Sequence, residues 1–386
     1  MLFLTKHSDT DSPSTGVIAR LGVLEKNGGR ILMVLPFEYA FPAIRGIQAG
    51  REYYVSMCPV RLIPKLFSFN DEEIPAEMRA QRTLNRARVP EIAQYILDNP
   101  STYIFSAITV SINAEIKFEP INSEDIGMLK IPMDARFVIN DGQHRRAAFE
   151  MALKENPEIG DETISVVFFL DIGLKRSQQM FTDLNRYAAR PDPSLNILYD
   201  HRDRKAVLSK MVMKAVKIFD KLTDTERSSL PPRSSKLFTL SGIYTATNLL
   251  LTNFKDVDFD KQTRLASQYW NAVAAQMSDW EDVLQKKVSA GELRRDYVHS
   301  HAVTLVGLGG AGAALLSLYP DDWANRLKPL QSINWERFNP AWEGSVIVGG
   351  SVHNNRTSRS FMIGYLKKAL GLPLTSEEEK LLGSIQ

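Results

Sequence analysis

The run RFVINDGQHRRAAFE, residues 136 to 150, constrains this chain more than any other stretch. Arg136 to Asn140 sets Phe, Val and Ile side by side, the composition of a short buried strand. Asp141 and Gly142 end it. From Gln143 onward, Ala147, Ala148, Phe149, Met151, Ala152 and Leu153 recur as they do on a helix. A strand therefore stops and a helix starts on Gln143, His144, Arg145 and Arg146. A helix N-terminus offers free backbone N–H groups and the positive end of a dipole. Gly142 permits close approach, and the cationic side chains add donors. Asp141, Gly142, Gln143, His144, Arg145 and Arg146 thus read as an anion site of the kind a phosphate fills. A plainer reading stands beside it, in which Asp141 is an ordinary N-cap and the cations are solvated.

The flanking pattern sets the fold class. Apolar runs at 31–37 and 52–59 come first, punctuated by Gly46 and Gly50. Helical periodicity covers 73–85 and 90–98, and strands are expected at 103–112 and 163–172 on either side of the motif. Residues 190–200, RPDPSLNILYD, carry two prolines and no helical period, so they read as a connector. Beyond them β-branched runs fade. Helices are expected at 204–222, 241–253, 261–289, 303–319 and 360–370. The expectation is a mixed α+β chain: an α/β domain over 1–190, then a mainly α-helical domain over 191–386.

Composition removes several function classes. A net charge of +2 gives no global field, so nucleic-acid binding has to come from local patches. The single cysteine, Cys58, forbids an internal disulfide and lies in an apolar stretch that suggests packing. The opening MLFL run is too short for a secretory signal, and a cytoplasmic location is expected. The apolar stretch 302–319 is glycine-rich and short for a membrane span, so a buried helix is expected and no membrane partner. Gly307, Gly309, Gly310 and Gly312 mimic a dinucleotide fingerprint, but no good strand precedes them, and close helix packing is the better reason. Asp296, His299 and His301 lack further ligands nearby, so no metal site is expected.

Three more cationic groups are candidates for phosphate contact. Arg79, Arg82 and Arg86 are spaced to share one helix face, with Arg88, Gln81 and Asn85 among them. The competing reading is a solvated face paired with Asp71, Glu72, Glu73 or Glu91. FTDLNRYAARPDP, 181 to 193, supplies Asn185, Arg186 and Arg190, of which Asn185 is a candidate member of the anion pocket. PPRSSK supplies Arg233 and Lys236. Each of these is equally an ordinary helix end or loop.

NDGQHRRAAFE matches the DGQHR motif, which characterises a family of bacterial proteins with a ParB-like fold. Residues 42–69, 79–97, 181–203 and 233–242 resemble its DndB branch, a family of the DNA phosphorothioate (sulfur) modification system. The resemblance spans most of 30–250 and more loosely the C-terminal part, with NPAWEG at 339–344. It implies an accessory or regulatory protein that binds duplex DNA upstream of the modification gene cluster and represses it. A rival reading makes the chain a scaffold that binds other modification proteins, with the motif only structural, and oligomerisation stays open. ParB-like relatives place a nucleoside triphosphate on the matching strand–loop–helix. The resemblance therefore points Asp141 to Arg146 at ATP or CTP with Mg. In an enzymatic version His144 is an acid/base or phosphate ligand, and Asp141, Asp171 and Asp183 are the available carboxylates. ParB itself carries different residues in this motif.

Overall fold

The computed structural model describes residues 21–26, 29–34, 37–67, 84–170, 174–186 and 191–383. The chain divides into two compact units, residues 1–189 and 190–386. The architecture is mixed α+β: a mostly antiparallel sheet in the first unit and mainly helices in the second.

In the first unit β1 (Leu21–Lys26) and β2 (Gly29–Val34) form a separate antiparallel pair. The main sheet contains β3 (Glu38–Gln48), β4 (Arg51–Pro59), β5 (Ile108–Asn113), β6 (Lys117–Pro120), β7 (Ile126–Pro132), β8 (Arg136–Asp141) and β9 (Thr163–Leu170). Its order is β6-β7-β3-β4-β9-β5-β8, with β5 parallel to β9 and every other neighbouring pair antiparallel. β3 and β4 join through Ala49 and Gly50, both at positive φ (49° and 72°), the geometry of a tight hairpin whose twist matches the strands.

Period-two alternation decides which face is buried. Ile108, Val110 and Ile112 of β5 and Ile164, Val166 and Phe168 of β9 point into one core. Three helices supply the other side of that core: α1 (Ile63–Leu66), α2 (Val89–Asp98) and α3 (Gln143–Glu155), through Ile63, Ala93, Ile96, Ala148, Phe149 and Ala152. α4 (Leu174–Arg186) lies against β8. Cys58 is fully buried, and burial pushes its thiol up to about 12, so it packs as a protonated small apolar group. The strand expected from residue 103 begins only at Ile108. Tyr103 and Phe105 instead pack at a tilt on each other and edge-on against Phe149, with ring centres 5.5–6.5 Å apart, which holds the chain out of the ladder.

The second unit holds α5 (Pro193–Tyr199), α6 (Arg204–Ala215), α7 (Lys217–Leu222), α8 (Leu240–Leu250), α9 (Phe259–Ala274), α10 (Ser278–Leu284), α11 (Ala290–Asp296), α12 (Ala302–Leu318), α13 (Arg356–Ala369) and α14 (Ser376–Gly383). α12 is its axis, apolar on every side and packed between α8 and α13. Trp270, Trp280 and Trp342 are fully buried in the same core. None of the helices searched is long and apolar enough to cross a membrane.

The expected connector at 190–200 contains α5. Asp192 accepts the Ser194 N–H at 2.8 Å and Pro193 occupies the first helical position, so one of the two prolines that suggested a break starts a helix. The helix expected over 204–222 is two helices, broken at Val216 (φ −96°, ψ 110°). The one expected over 261–289 is α9 and α10, broken at Met277 (φ −113°, ψ 77°). Val216 and Met277 are buried, so the apolar pattern runs through both breaks. α14 falls outside the expected helices.

Candidate functional site

Among the described residues β8 is an edge strand paired only with β5, and its last residues are bulged. Thr109 lies opposite Asp141 and Val110 opposite Ile139, which leaves Asn140 as the extra residue. A bulge bends the strand and re-aims the residues beyond it. Asn140 is fully buried, its amide nitrogen 2.6 Å from Ser111 Oγ and its Oδ1 without a hydrogen-bond partner among the described residues. Gly142 then takes φ +115°, and a Cβ there would lie 3.0 Å from a branch of Ile108. Only glycine turns this corner without strain. Gly142→Ala should lower the unfolding free energy by about 2 kcal/mol, through backbone strain and contact with Ile108. Urea denaturation followed by circular dichroism reads that loss, and an unchanged midpoint would show that the corner relaxes.

The first turn of α3 has no side-chain cap. Arg146 N–H closes the first helical bond, to Gly142 O at 2.9 Å. The earlier N–H groups, of Gln143, His144 and Arg145, are the orphan donors that every helix start exposes. Gln143 is buried.

His144 differs from its sequence reading as a cationic donor. Its Nε2 accepts the Asn85 N–H at 3.1 Å, which places the ring proton on Nδ1. Burial, then Arg88, holds its pKa below the usual histidine range, with Asp141 opposing. At neutral pH it is an uncharged ring.

The two arginines have different partners. Arg145 donates to Ser106 O at 2.6 Å, to Ser106 Oγ, and to Asp141 Oδ2 at 2.6 Å, with its side chain 12% exposed. Arg146 donates to Phe67 O at 2.8 Å and Pro64 O at 2.9 Å, and pairs with Glu150. Those carbonyls belong to α1 and the residue that caps it, so Arg146 braces α1 against α3 and complements the negative end of a helix. Sequence reading missed Ser106 because its only signal is proximity, and it missed Asn85 as the partner of His144 for the same reason.

Arg79, Arg82 and Arg190 lie outside the described residues, as does Asp171. Asn185 and Arg186 form the last turn of α4, and their side chains lie outside the described set. Arg86 does not continue a helix from the preceding stretch. Asn85 is extended (φ −75°, ψ 93°) and caps a new turn, Arg86–Arg88, by accepting the Ala87 N–H. That turn is exposed and places Arg88 close enough to depress His144. Arg233 and Lys236 belong to the second unit, where Arg233 is exposed and Lys236 Nζ donates to Lys221 O at 2.7 Å.

Among the described residues no group of three His, Cys, Asp or Glu could hold a metal ion. Asp183 accepts the Gln179 amide. His299 is a core residue, taking the Trp280 indole N–H on Nδ1 and meeting Asp279 through Nε2, both at 3.0 Å. His301 meets Arg294 O at 2.8 Å, and burial pulls its pKa down to about 4.

The β8–α3 joint, the turn at 86–88 and the helical unit through α13 all fall within residues 41–373, which match the family model DndB, described as DNA-sulfur modification-associated. The chain belongs to the DndB family. The match covers both structural units, so the helical half of this DndB-family chain is part of the family's own architecture. Membership implies involvement in the DNA sulfur modification system. Comparison with curated proteins and with solved structures gives no match.

Proposed function

We propose that this DndB-family protein is a DNA-binding accessory protein of the sulfur modification system, acting in the cytoplasm as a repressor of its own gene cluster. The observation that carries the reading is the uncapped first turn of α3 beside the exposed Arg86–Arg88 turn. Helix N–H groups flanked by guanidinium groups suit a backbone phosphate. With a net charge of only +2, affinity for duplex DNA must come from such local contacts. Arg79, Arg82, Asn185, Arg186, Arg190, Arg233 and Lys236 are further candidate contacts. Other modification proteins are candidate partners.

A second reading uses the same N–H groups. In it ATP or CTP, with Mg, binds at Asp141 to Arg146, where Arg145 is already anchored to Asp141. The nucleotide would then compete with or license DNA binding.

An equilibrium binding panel tests both. Duplex from upstream of the gene cluster and random duplex are titrated with and without ATP or CTP. Tighter binding to the upstream duplex is expected. Arg86→Ala with Arg88→Ala should reduce the slope of log affinity against log salt by about 1.8, because each lost phosphate contact removes about 0.9. Upstream and random duplex should weaken together, since phosphates carry no base identity. An unchanged slope removes this turn from the interface.

A further inference from the structure

The helical unit contains a cleft of about 920 Å³ between the end of α7, the 232–235 turn and the segment from α10 into α11. Its floor is apolar, from Leu222, Val283, Leu284 and Val288, and four cationic side chains line it against one carboxylate, Glu292. Two of the four are already paired: Lys221 with Asp220 at 2.8 Å and Arg295 with Asp296 at 2.7 Å. Arg233 and Lys286 are exposed and meet no carboxylate among the described residues. Lys286 is also held at φ +60°, a backbone conformation that side chains disfavour and that the surrounding structure must impose.

The turn beside them is turned inside out by one buried residue. Arg294, 9% exposed, donates to the carbonyls of Pro231 at 2.8 Å, Pro232 at 3.1 Å, Ser234 at 3.3 Å and Lys236. The chain has no cis peptide bond among the described residues. In a trans peptide the C=O and N–H point in opposite directions. Drawing the carbonyls of Pro232 and Ser234 to Arg294 therefore turns the N–H groups of Arg233 and Ser235 away from it. Neither N–H has a hydrogen-bond partner among the described residues. Arg233, Ser234 and Ser235 line the cleft, whereas Arg294 lines a different cavity with Ser300 and His301. Ser234 N–H, between them, is spent on Pro231 O at 2.9 Å. Two outward N–H groups at alternate residues of one turn, with a guanidinium beside them, offer an anion two backbone donors and a charge.

We propose that this cleft is a nucleotide-phosphate site, in which the Arg233 and Ser235 N–H groups, Arg233 and Lys286 hold the phosphate and the Leu222–Val283–Val288 floor takes the base or sugar. The proposal shares Arg233 with the duplex reading above, whereas Lys286, the two N–H groups and the apolar floor belong to this cleft alone. The phosphate has two sources, a free nucleotide or the backbone of DNA, and the chemistry that recognises it is the same.

The test uses the full chain and its Arg233→Ala/Lys286→Gln double variant, both changes being at exposed positions. Calorimetry measures ATP binding, and fluorescence anisotropy measures a short random duplex across a salt series. If ATP affinity falls roughly tenfold or more in the variant while duplex binding holds, the source is a free nucleotide. If duplex affinity and salt slope fall and ATP does not bind, the source is DNA. Either result supports the site. Unchanged affinity for both probes overturns it, as does a polyglutamate peptide that binds the cleft when neither phosphate probe does. A wild-type protein that ignores upstream duplex would sink the repressor reading, yet the ATP arm would still judge the cleft.

Discussion

Arg294→Ala should cost the helical unit about 4 kcal/mol. Arg294 is buried without a carboxylate partner among the described residues, and four backbone carbonyls stabilise its charge instead. Desolvating a guanidinium is expensive, and only a full set of acceptors offsets it. Each hydrogen bond from a charged donor contributes about 1.5–3 kcal/mol, but bonds sharing one donor group do not add fully. Truncation leaves four carbonyls of a tight turn without their donor and frees the turn that precedes Leu237. Arg294→Lys should recover little, because one ammonium cannot span a fork of four acceptors. Urea unfolding at neutral pH measures the loss. A cost under about 1 kcal/mol would mean that water replaces the guanidinium. The same variant should weaken ATP binding in the cleft without Arg294 touching the ligand, since the Arg233 and Ser235 N–H groups are aimed by it.

The strand–loop–helix at 136–155 was legible because every signal in it is local. A β-branched and aromatic run, a glycine and a helical repeat succeed one another within one stretch, and α3 begins on Gln143 as the pattern requires. The order of the sheet was not legible. β8 and β9 flank α3 in sequence, yet β5, from far upstream, lies between them. Pairing of that kind is set by tertiary packing and leaves no trace in spacing. The site shows the same division. The positions of Arg145 and Arg146 were readable, but whether each faces a ligand or a carbonyl depends on Ser106, Pro64 and Phe67. His144 reads as a cationic donor beside Arg145 and Arg146 at a helix start, whereas burial and Arg88 keep it neutral. The Asp192–Pro193 pair carried a cap signature that two prolines in one segment obscured.

Gly309→Ala should cost about 3 kcal/mol, in a helix where alanine would otherwise be favoured by about 1 kcal/mol. The glycines of α12 were separable from a nucleotide fingerprint by the missing strand before them, and the structure gives their packing role. A Cβ on Gly309 would strike the backbone carbonyl of Ala246 in α8. Backbone cannot rotate aside as a side chain does, so the two helices would have to part. Parting them pulls Tyr269 from Leu308 O, a bond of 2.6 Å, and opens the core around Trp270. Gly383→Ala is the control: a Cβ there meets nothing within 4 Å, and its stability should stay level or rise slightly. Thermal unfolding of the two variants separates the readings. A fingerprint role would show as lost ligand affinity with stability intact. Packing shows as an early-melting helical unit in Gly309→Ala alone, and equal melting of the two variants would count against it.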